Sequence, residues 1–273
     1  MSDIQPRSSF VRDQYEAFLA AVQFLTRLPI TLRLVPDHPE RYQATLARGV
    51  MYFPLVGGLI TSVTSLVIYS LLHLLPTELA IVLALSIEAM LTGAFHEDAL
   101  ADTCDAMGGG WTREQVLEIL KDSRLGTYGT LGLGLGVACR FFALVALADF
   151  QWVWYGIASL VASGAIGRWG ILWLMHTVRP VDDRPTMARN IAGQDASRSI
   201  GWGLLLGLPA VIPWLIVDPV AVLISLTLSA VVLIVYRWQI IRRVGGSTGD
   251  LLGCSAYLVQ LVVLLVAVSR IPS

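Results

Sequence analysis

The chain has 273 residues, 55% of them hydrophobic and 14% charged, with a mean hydropathy of +0.68. Soluble domains carry roughly 25% charged residues, so this composition excludes an ordinary soluble globule. The net charge of −1 excludes a strongly basic nucleic-acid surface and an acidic tail, and the three scattered cysteines (Cys104, Cys139, Cys254) lack zinc or disulfide spacing and read as reduced and structural.

Met1 to Arg12 is polar and lacks an apolar stretch ending in a small-residue cleavage site, so no cleaved leader is expected. Residues 13–30 follow as an interfacial helix. Phe18, Ala21, Val22 and Leu25 share a face there, but the segment is too short to span. A spanning helix needs about 20 mostly apolar residues. Seven stretches supply that length: Val50 to Leu74, Thr77 to Phe95, Thr127 to Asp149, Trp152 to His176, Ile200 to Val217, Pro219 to Trp238 and Leu251 to Ser269. The expected fold is all-α and polytopic, one membrane domain over residues 1–273 with amphipathic helices on its cytoplasmic side.

Basic residues near helix ends are retained in the cytoplasm, and they orient this bundle. Arg7, Arg12, Arg27, Arg33, Arg41 and Arg48 precede the first span. Arg113, Lys121 and Arg124, then Arg179, Arg184, Arg189 and Arg198, then Arg237, Arg242 and Arg243 occupy alternate connections. The tight connections between them, at 75–76, 150–151 and 218–219, hold no Lys or Arg. The N-terminus and the long polar connections therefore belong inside, where binding and catalysis concentrate on loops.

Residues 96–126 form the first long connection of interest. In A-F-H-E-D-A-L-A-D-T-C-D, Asp98, Asp102 and Asp105 fall at i, i+4 and i+7, one stripe about 60° wide on a helix. Like charges so close, beside hydrocarbon, repel unless a cation binds or one carboxylate is protonated. An oxygen-only set selects Mg²⁺ or Mn²⁺ over zinc; a solvated helix end is the bland alternative. Glu97 and His96 point elsewhere, Glu97 toward a supporting or substrate-binding role and His96 equally toward a structural one. Thr112 to Gln115 reads as a capping box opening a short surface helix. That helix ends in K-D-S-R, where Lys121, Asp122, Ser123 and Arg124 suit a diphosphate beside a metal, or form a charged juxtamembrane turn.

Within the spans, Glu88, Arg140 and Arg168 require partners or a polar cavity. Arg168 reads as reaching toward substrate phosphate, or either arginine as pairing with Glu88. The glycines at 126, 129, 132, 134 and 136 point to close helix packing. In the last connection, 237–250, R-R-V-G-G-S-T-G-D offers Gly246 and Thr248 to an anion and Asp250 to a metal, without the ending of a Walker loop.

F-L-T-R-L-P at 24–29, F-P-L-V-G at 53–57, H-E-D-A-L-A-D-T-C-D at 96–105, K-D-S-R-L-G-T-Y-G at 121–129 and G-G-S-T-G-D-L-L-G at 245–253 together resemble the cobalamin synthase family, the adenosylcobinamide-GDP ribazoletransferases. Ala99 and Ala106 stand where that family often has Gly. The resemblance implies a multi-pass protein of the cytoplasmic membrane that joins adenosylcobinamide-GDP to α-ribazole, or its 5′-phosphate, and releases GMP. It implies Mg²⁺ as cofactor, Asp98 and Asp102 as ligands, Asp105 as ligand or base, and Lys121 with Arg124 on the diphosphate. The bilayer and a complex with other cobalamin-assembly enzymes are the implied partners, and nucleic acid is not. A CDP-alcohol phosphotransferase would require an Arg and later aspartates that are missing after Asp98. A cation or corrinoid transporter would place its acids at mid-span rather than at one face.

Overall fold

A computed structural model describes residues 10–30, 39–149, 151–181 and 196–271. Its helices are α1 (Phe10–Leu25), α2 (Pro39–Gly49), α3 (Phe53–Leu72), α4 (Thr77–Thr92), α5 (Phe95–Gly109), α6 (Arg113–Ile119), α7 (Thr127–Leu147), α8 (Val153–Thr177), α9 (Ala196–Val217), α10 (Pro219–Arg243) and α11 (Gly249–Arg270). Arg7, Arg33, Arg184 and Arg189 lie outside the described residues, and the side chains of Arg41 and Arg198 are likewise not described. Among the described residues six helices are long and apolar enough to cross a membrane, or seven if the bent pair α4 and α5 is one span. The protein is therefore all-α and polytopic. α2 departs from the expected pattern: its polar sequence P-E-R-Y-Q-A-T-L-A-R-G hides it from a hydropathy reading, yet it leads through a 3₁₀ turn at Val50–Tyr52 straight into α3.

α8 is the central pillar, packed against α3, α9 and α11. In a bilayer, close approach of backbones replaces the hydrophobic drive, so small residues mark the crossings. A Cβ at Gly164 would strike Thr61 and the Gly57 carbonyl on α3, and one at Gly167 would lie 2.9 Å from the Ala256 carbonyl on α11. Thr61 seals the first crossing by donating to the Gly57 carbonyl at 3.0 Å and to the Val161 carbonyl at 3.3 Å. Toward α9, the Trp169 indole donates to the Gly203 carbonyl at 2.9 Å.

α4 differs from the span expected for it. It has 16 residues, about 24 Å at 1.5 Å each, and stops at Gly93, beyond which α5 leaves at 87°. Gly93 (φ 70°) and Ala94 (φ 53°) are both left-handed, which turns the chain too sharply to continue the helix. A Cβ at Gly93 would also strike the Arg27 side chain, whose own backbone N–H donates to the Leu91 carbonyl at 2.7 Å.

Arg140 of α7 holds the two arms of this bend. Its guanidinium is 2.6 Å from Glu88 on α4 and 3.3 Å from Glu97 on α5, and Thr64 of α3 donates to the second Glu88 oxygen at 2.6 Å. Glu88 thus pairs with Arg140, and not with Arg168. Removing one partner strands buried charge, which typically costs about 3–5 kcal/mol, whereas removing both is tolerated far better. Arg140→Met should lower the thermal stability of the detergent-purified protein by an amount of that order. Glu88→Gln combined with Arg140→Met should lose less than Arg140→Met alone; an equal or larger loss in the double variant would show that the pair does not carry the bend.

At one end of the bundle three connections are stitched together. Arg113 donates to the Val244 carbonyl at 2.9 Å, Arg243 to the Gly110 carbonyl, and Ser247 pairs with Pro180 through Val181 N–H and its own N–H at 3.2 and 2.9 Å. This is the end that carries the arginine-rich connections. At the other end Arg270 meets Asp218 at 3.1 Å.

Candidate active site

The acidic helix is α5, longer than the sequence suggested, and it lies between α7 and α11. Its seat on α7 is a row of glycines. Cβ atoms at Gly126, Gly129, Gly132 and Gly136 would collide in turn with Asp105 (the first two), Cys104 and Leu100. The glycine series is close packing, as its spacing suggested, except at Gly134, where a Cβ would meet nothing within 4 Å. On the other flank Gly253 of α11 admits Ala99, which a Cβ there would approach to 2.7 Å.

This packing brings Asp98, Asp105 and Asp250 within electrostatic range of Asp102. Asp250 stands in the first turn of α11, and its charge acts on Asp102 together with those of Asp98 and Asp105. Partial burial first, then these three carboxylates in the order Asp98, Asp250, Asp105, push the Asp102 carboxyl up to about 6. Among the described residues no three His, Cys, Asp or Glu side chains form a ready-made metal centre. Carboxylate oxygen is the donor type that these aspartates offer, which suits a hard cation with one or two carboxylate ligands and a shell completed by water better than it suits zinc.

Asp105 has a different employment from the one expected. Its two oxygens accept from Gly126 N–H at 2.7 Å and Gly129 N–H at 2.8 Å, so it caps α7 at the positive end of the helix dipole. Next to it, α6 opens with the expected capping box, Thr112 accepting from Gln115 N–H at 3.3 Å and Gln115 accepting from Thr112 N–H at 3.2 Å. The following loop presents Lys121 and Ser123 to solvent. Arg124 is not open to an anion as it stands: it pairs with Asp122 at 2.5 Å and holds that carboxyl down at about 2. Asp105, Asp122, Arg124, Gly126 and Tyr128 line a shallow depression of about 380 Å³.

Four expected substrate contacts are placed elsewhere. His96 is buried on the inner side of α5 against Phe95, with no partner for its Nε2 among the described residues. Arg168 is 1% exposed in the core of α8, where among the described residues its guanidinium donates to the Gly164 carbonyl at 3.4 Å and its Nε has no partner. Gly246 is buried because the 179–181 segment passes over it, a Cβ there meeting the Arg179 carbonyl at 2.9 Å. Thr248 is the N-cap of α11, accepting from Leu251 N–H at 3.4 Å. Glu97, the fifth, faces away from the aspartates toward Arg140. Sequence reasoning missed the Arg113 and Arg243 staples, which position the Asp250 turn beside α5; both lay in plain view as cations but were read only as topology markers.

Over residues 17–268 the chain matches the family model described as cobalamin-5-phosphate synthase. The chain belongs to that family. Relatives named adenosylcobinamide-GDP ribazoletransferase include one from Shewanella amazonensis, 36% identical over 95% of this chain and 96% of its own length. One from Bradyrhizobium diazoefficiens is 35% identical over 96% of each, and one from Leptospira interrogans 33% identical over 89% of this chain and 91% of its own. No solved structure matches.

Because Asp105 satisfies two backbone donors at a helix start, losing it should cost stability on the scale of an N-cap, about 0.5–2 kcal/mol. Asp105→Ala should unfold at a lower temperature than wild type in detergent, with Asp98→Ala close to wild type. Equal stability of Asp105→Ala and wild type would remove the capping role from this cobalamin-5-phosphate synthase homologue.

Proposed function

We propose that this chain is a Mg²⁺-dependent adenosylcobinamide-GDP ribazoletransferase of the cytoplasmic membrane, with its arginine-rich end and acidic helix facing the cytoplasm. The observation that carries the reading is that Asp98 and Asp105 of α5 and Asp250 of α11 all act electrostatically on Asp102, with Asp105 on the wall of the depression that also holds Arg124. Family membership supplies the reaction, and it disfavours the phosphotransferase and transporter alternatives. The one-sided arginines support the orientation.

In this reading the ribose 3′-hydroxyl oxygen of α-ribazole bonds to the aminopropanol-linked phosphorus. The bond from that phosphorus to the GMP oxygen breaks, GMP departs as an anion, and the hydroxyl proton passes to a carboxylate. Asp102 suits the proton-accepting task, because a base with a pKa near 6 is ionised at neutral pH yet holds a proton better than an exposed aspartate. Asp98 and Asp250 would hold Mg²⁺, with Asp102 as a further ligand when it is not the base. Mg²⁺, when bound, neutralises charge on the diphosphate. Arg124 exchanges Asp122 for a phosphate oxygen, and Lys121 adds a second cation; α-ribazole and the corrinoid are the small-molecule partners.

Purified protein supplied with adenosylcobinamide-GDP and α-ribazole should release GMP only with both substrates and with Mg²⁺ present. Stabilisation of phosphoryl charge is worth several kcal/mol, and each 1.36 kcal/mol is tenfold in rate, so Asp98→Asn and Asp102→Asn should each lower turnover about 10²-fold or more. Both should fold normally and weaken Mn²⁺ binding read by electron paramagnetic resonance. Wild-type turnover and wild-type Mn²⁺ binding in both variants would sink the assignment.

Asp102 must be ionised to accept a cation or a proton. Below pH 6 it is protonated, so the apparent Mn²⁺ affinity should fall as pH falls, approaching tenfold per unit, in a range where an ordinary exposed aspartate stays charged down to about 4. Asp102→Asn should flatten that profile between pH 4.5 and 6.5 (about two units). A wild-type profile already flat across this window would show that Asp102 does not titrate there.

A further inference from the structure

A second concavity lies on the Glu97 side of α5, about 100° around the helix from Asp98. It is a recess of about 480 Å³ between α4 and α7, walled by Val82 and Leu85 on one side and Val137, Phe141 and Phe142 on the other, with Glu97 at its inner end. Arg140 and Tyr257 also line that inner end. The recess exists because α5 fills only one face of α7: Gly126, Gly129, Gly132 and Gly136 are covered, whereas Gly134, on the recess wall, faces open space.

Three features describe what would fill it. The walls are apolar and end in the Phe141 and Phe142 rings, whose centroids are 5.2 Å apart at 75°, a surface suited to a flat aromatic body. The inner end is polar and incompletely satisfied. Tyr257 and Arg140 are sealed there, and among the described residues neither the Tyr257 hydroxyl nor the Arg140 Nε has a partner; the polar group an occupant would meet is Glu97, whose side chain is 19% exposed, and an acyl chain would offer that carboxylate no hydrogen bond. Arg140 is already shared by Glu88 and Glu97, so an anion there would meet carboxylate rather than free positive charge. The occupant is therefore neutral, aromatic and hydroxylated. Its size class is that of a nucleoside, since pockets for small molecules run from about 300 to 1,000 Å³ and a corrinoid carrying GDP would overfill this one.

We propose that this recess binds the neutral nucleoside acceptor, α-ribazole, with its benzimidazole against Phe141, Phe142 and Leu85 and its ribose hydroxyls toward Glu97. The proposal rests on the transferase reading above. Glu97 and Asp98 are adjacent on α5, about 100° apart around the helix, so an acceptor held at Glu97 stands beside the carboxylates that would hold the metal.

Filling the recess from its own wall tests this. Gly134→Trp places a large side chain where a Cβ meets nothing, and replacing a mid-helix glycine does not oppose α7. Ser86→Trp on α4 does the same from the facing wall and serves if the first variant misfolds. Titrating detergent-purified protein with α-ribazole by isothermal calorimetry, we expect at least a tenfold weaker Kd in either Trp variant. Gly134→Ala should stay near wild type, and Mn²⁺ binding should be unchanged throughout. A folded Trp variant that binds α-ribazole as tightly as wild type overturns the proposal, as does one that sheds a phospholipid in native mass spectrometry while keeping that affinity. Wild-type protein that neither binds α-ribazole nor releases GMP would instead overturn the function reading itself.

Discussion

The bend between α4 and α5 sets the position of everything that faces the arginine-rich end, and it opposes the intrinsic preference of the chain. Ala94 in the left-handed region costs roughly 1–2 kcal/mol, and breaking a helix inside an apolar bundle frees backbone groups that water cannot reach. The opposing force is the buried arginine of α7. Arg140 can satisfy Glu88 and Glu97 together only while α5 departs sideways from α4, so the ion cluster and the 87° angle select each other. α5 then falls into the glycine row of α7. A straight continuation of α4 would have left that row empty and carried three aspartates away from Asp250.

The same bend divides the acidic residues into two populations with different electrostatics. Glu88 and Glu97 turn inward and are neutralised by an arginine that never leaves the core. Asp98, Asp102 and Asp250 turn outward, and partial burial together with the neighbouring carboxylates raises the Asp102 carboxyl. Asp105 belongs to neither group, because helix α7 supplies its compensation through two peptide N–H groups. Four carboxylates within ten residues of α5 thus perform three kinds of work, and the helix period assigns each its neighbours.

Much of this was legible in the sequence, for identifiable reasons. Hydropathy located the spans because bilayer thickness imposes a length that composition alone reveals; α7 and α10 begin where expected, at Thr127 and Pro219. The capping box at Thr112 was readable because its chemistry is local. The acidic stripe was readable because the helix period is fixed. What failed depended on partners distant in sequence. Periodicity shows that Asp105 shares a face with Asp98 but cannot reveal that the start of α7 arrives against it. Arg168 and Arg140 look alike as isolated intramembrane cations, and only the packing of α4 against α7 distinguishes the paired one. Gly246 and Thr248 resemble an anion loop because glycine and threonine serve equally well under a crossing strand and at an N-cap. α2, polar on average, offered hydropathy little to detect although Leu46 enters the core.

If both proposed sites operate, α5 separates two substrates of opposite character. The donor diphosphate is anionic and approaches a face that carries Asp98 and Asp102, so a bound cation would favour its binding; cation and donor would then be coupled, each improving the affinity of the other by the same factor. The acceptor is neutral and approaches a recess whose charges are already paired within the protein. Its binding has no electrostatic reason to depend on the cation. A single residue step, from Glu97 to Asp98, would then keep a metal-coupled anion site and a metal-independent aromatic site within reach of one another. The only requirement that the two sites place on the fold is that α5 remain where Arg140 holds it.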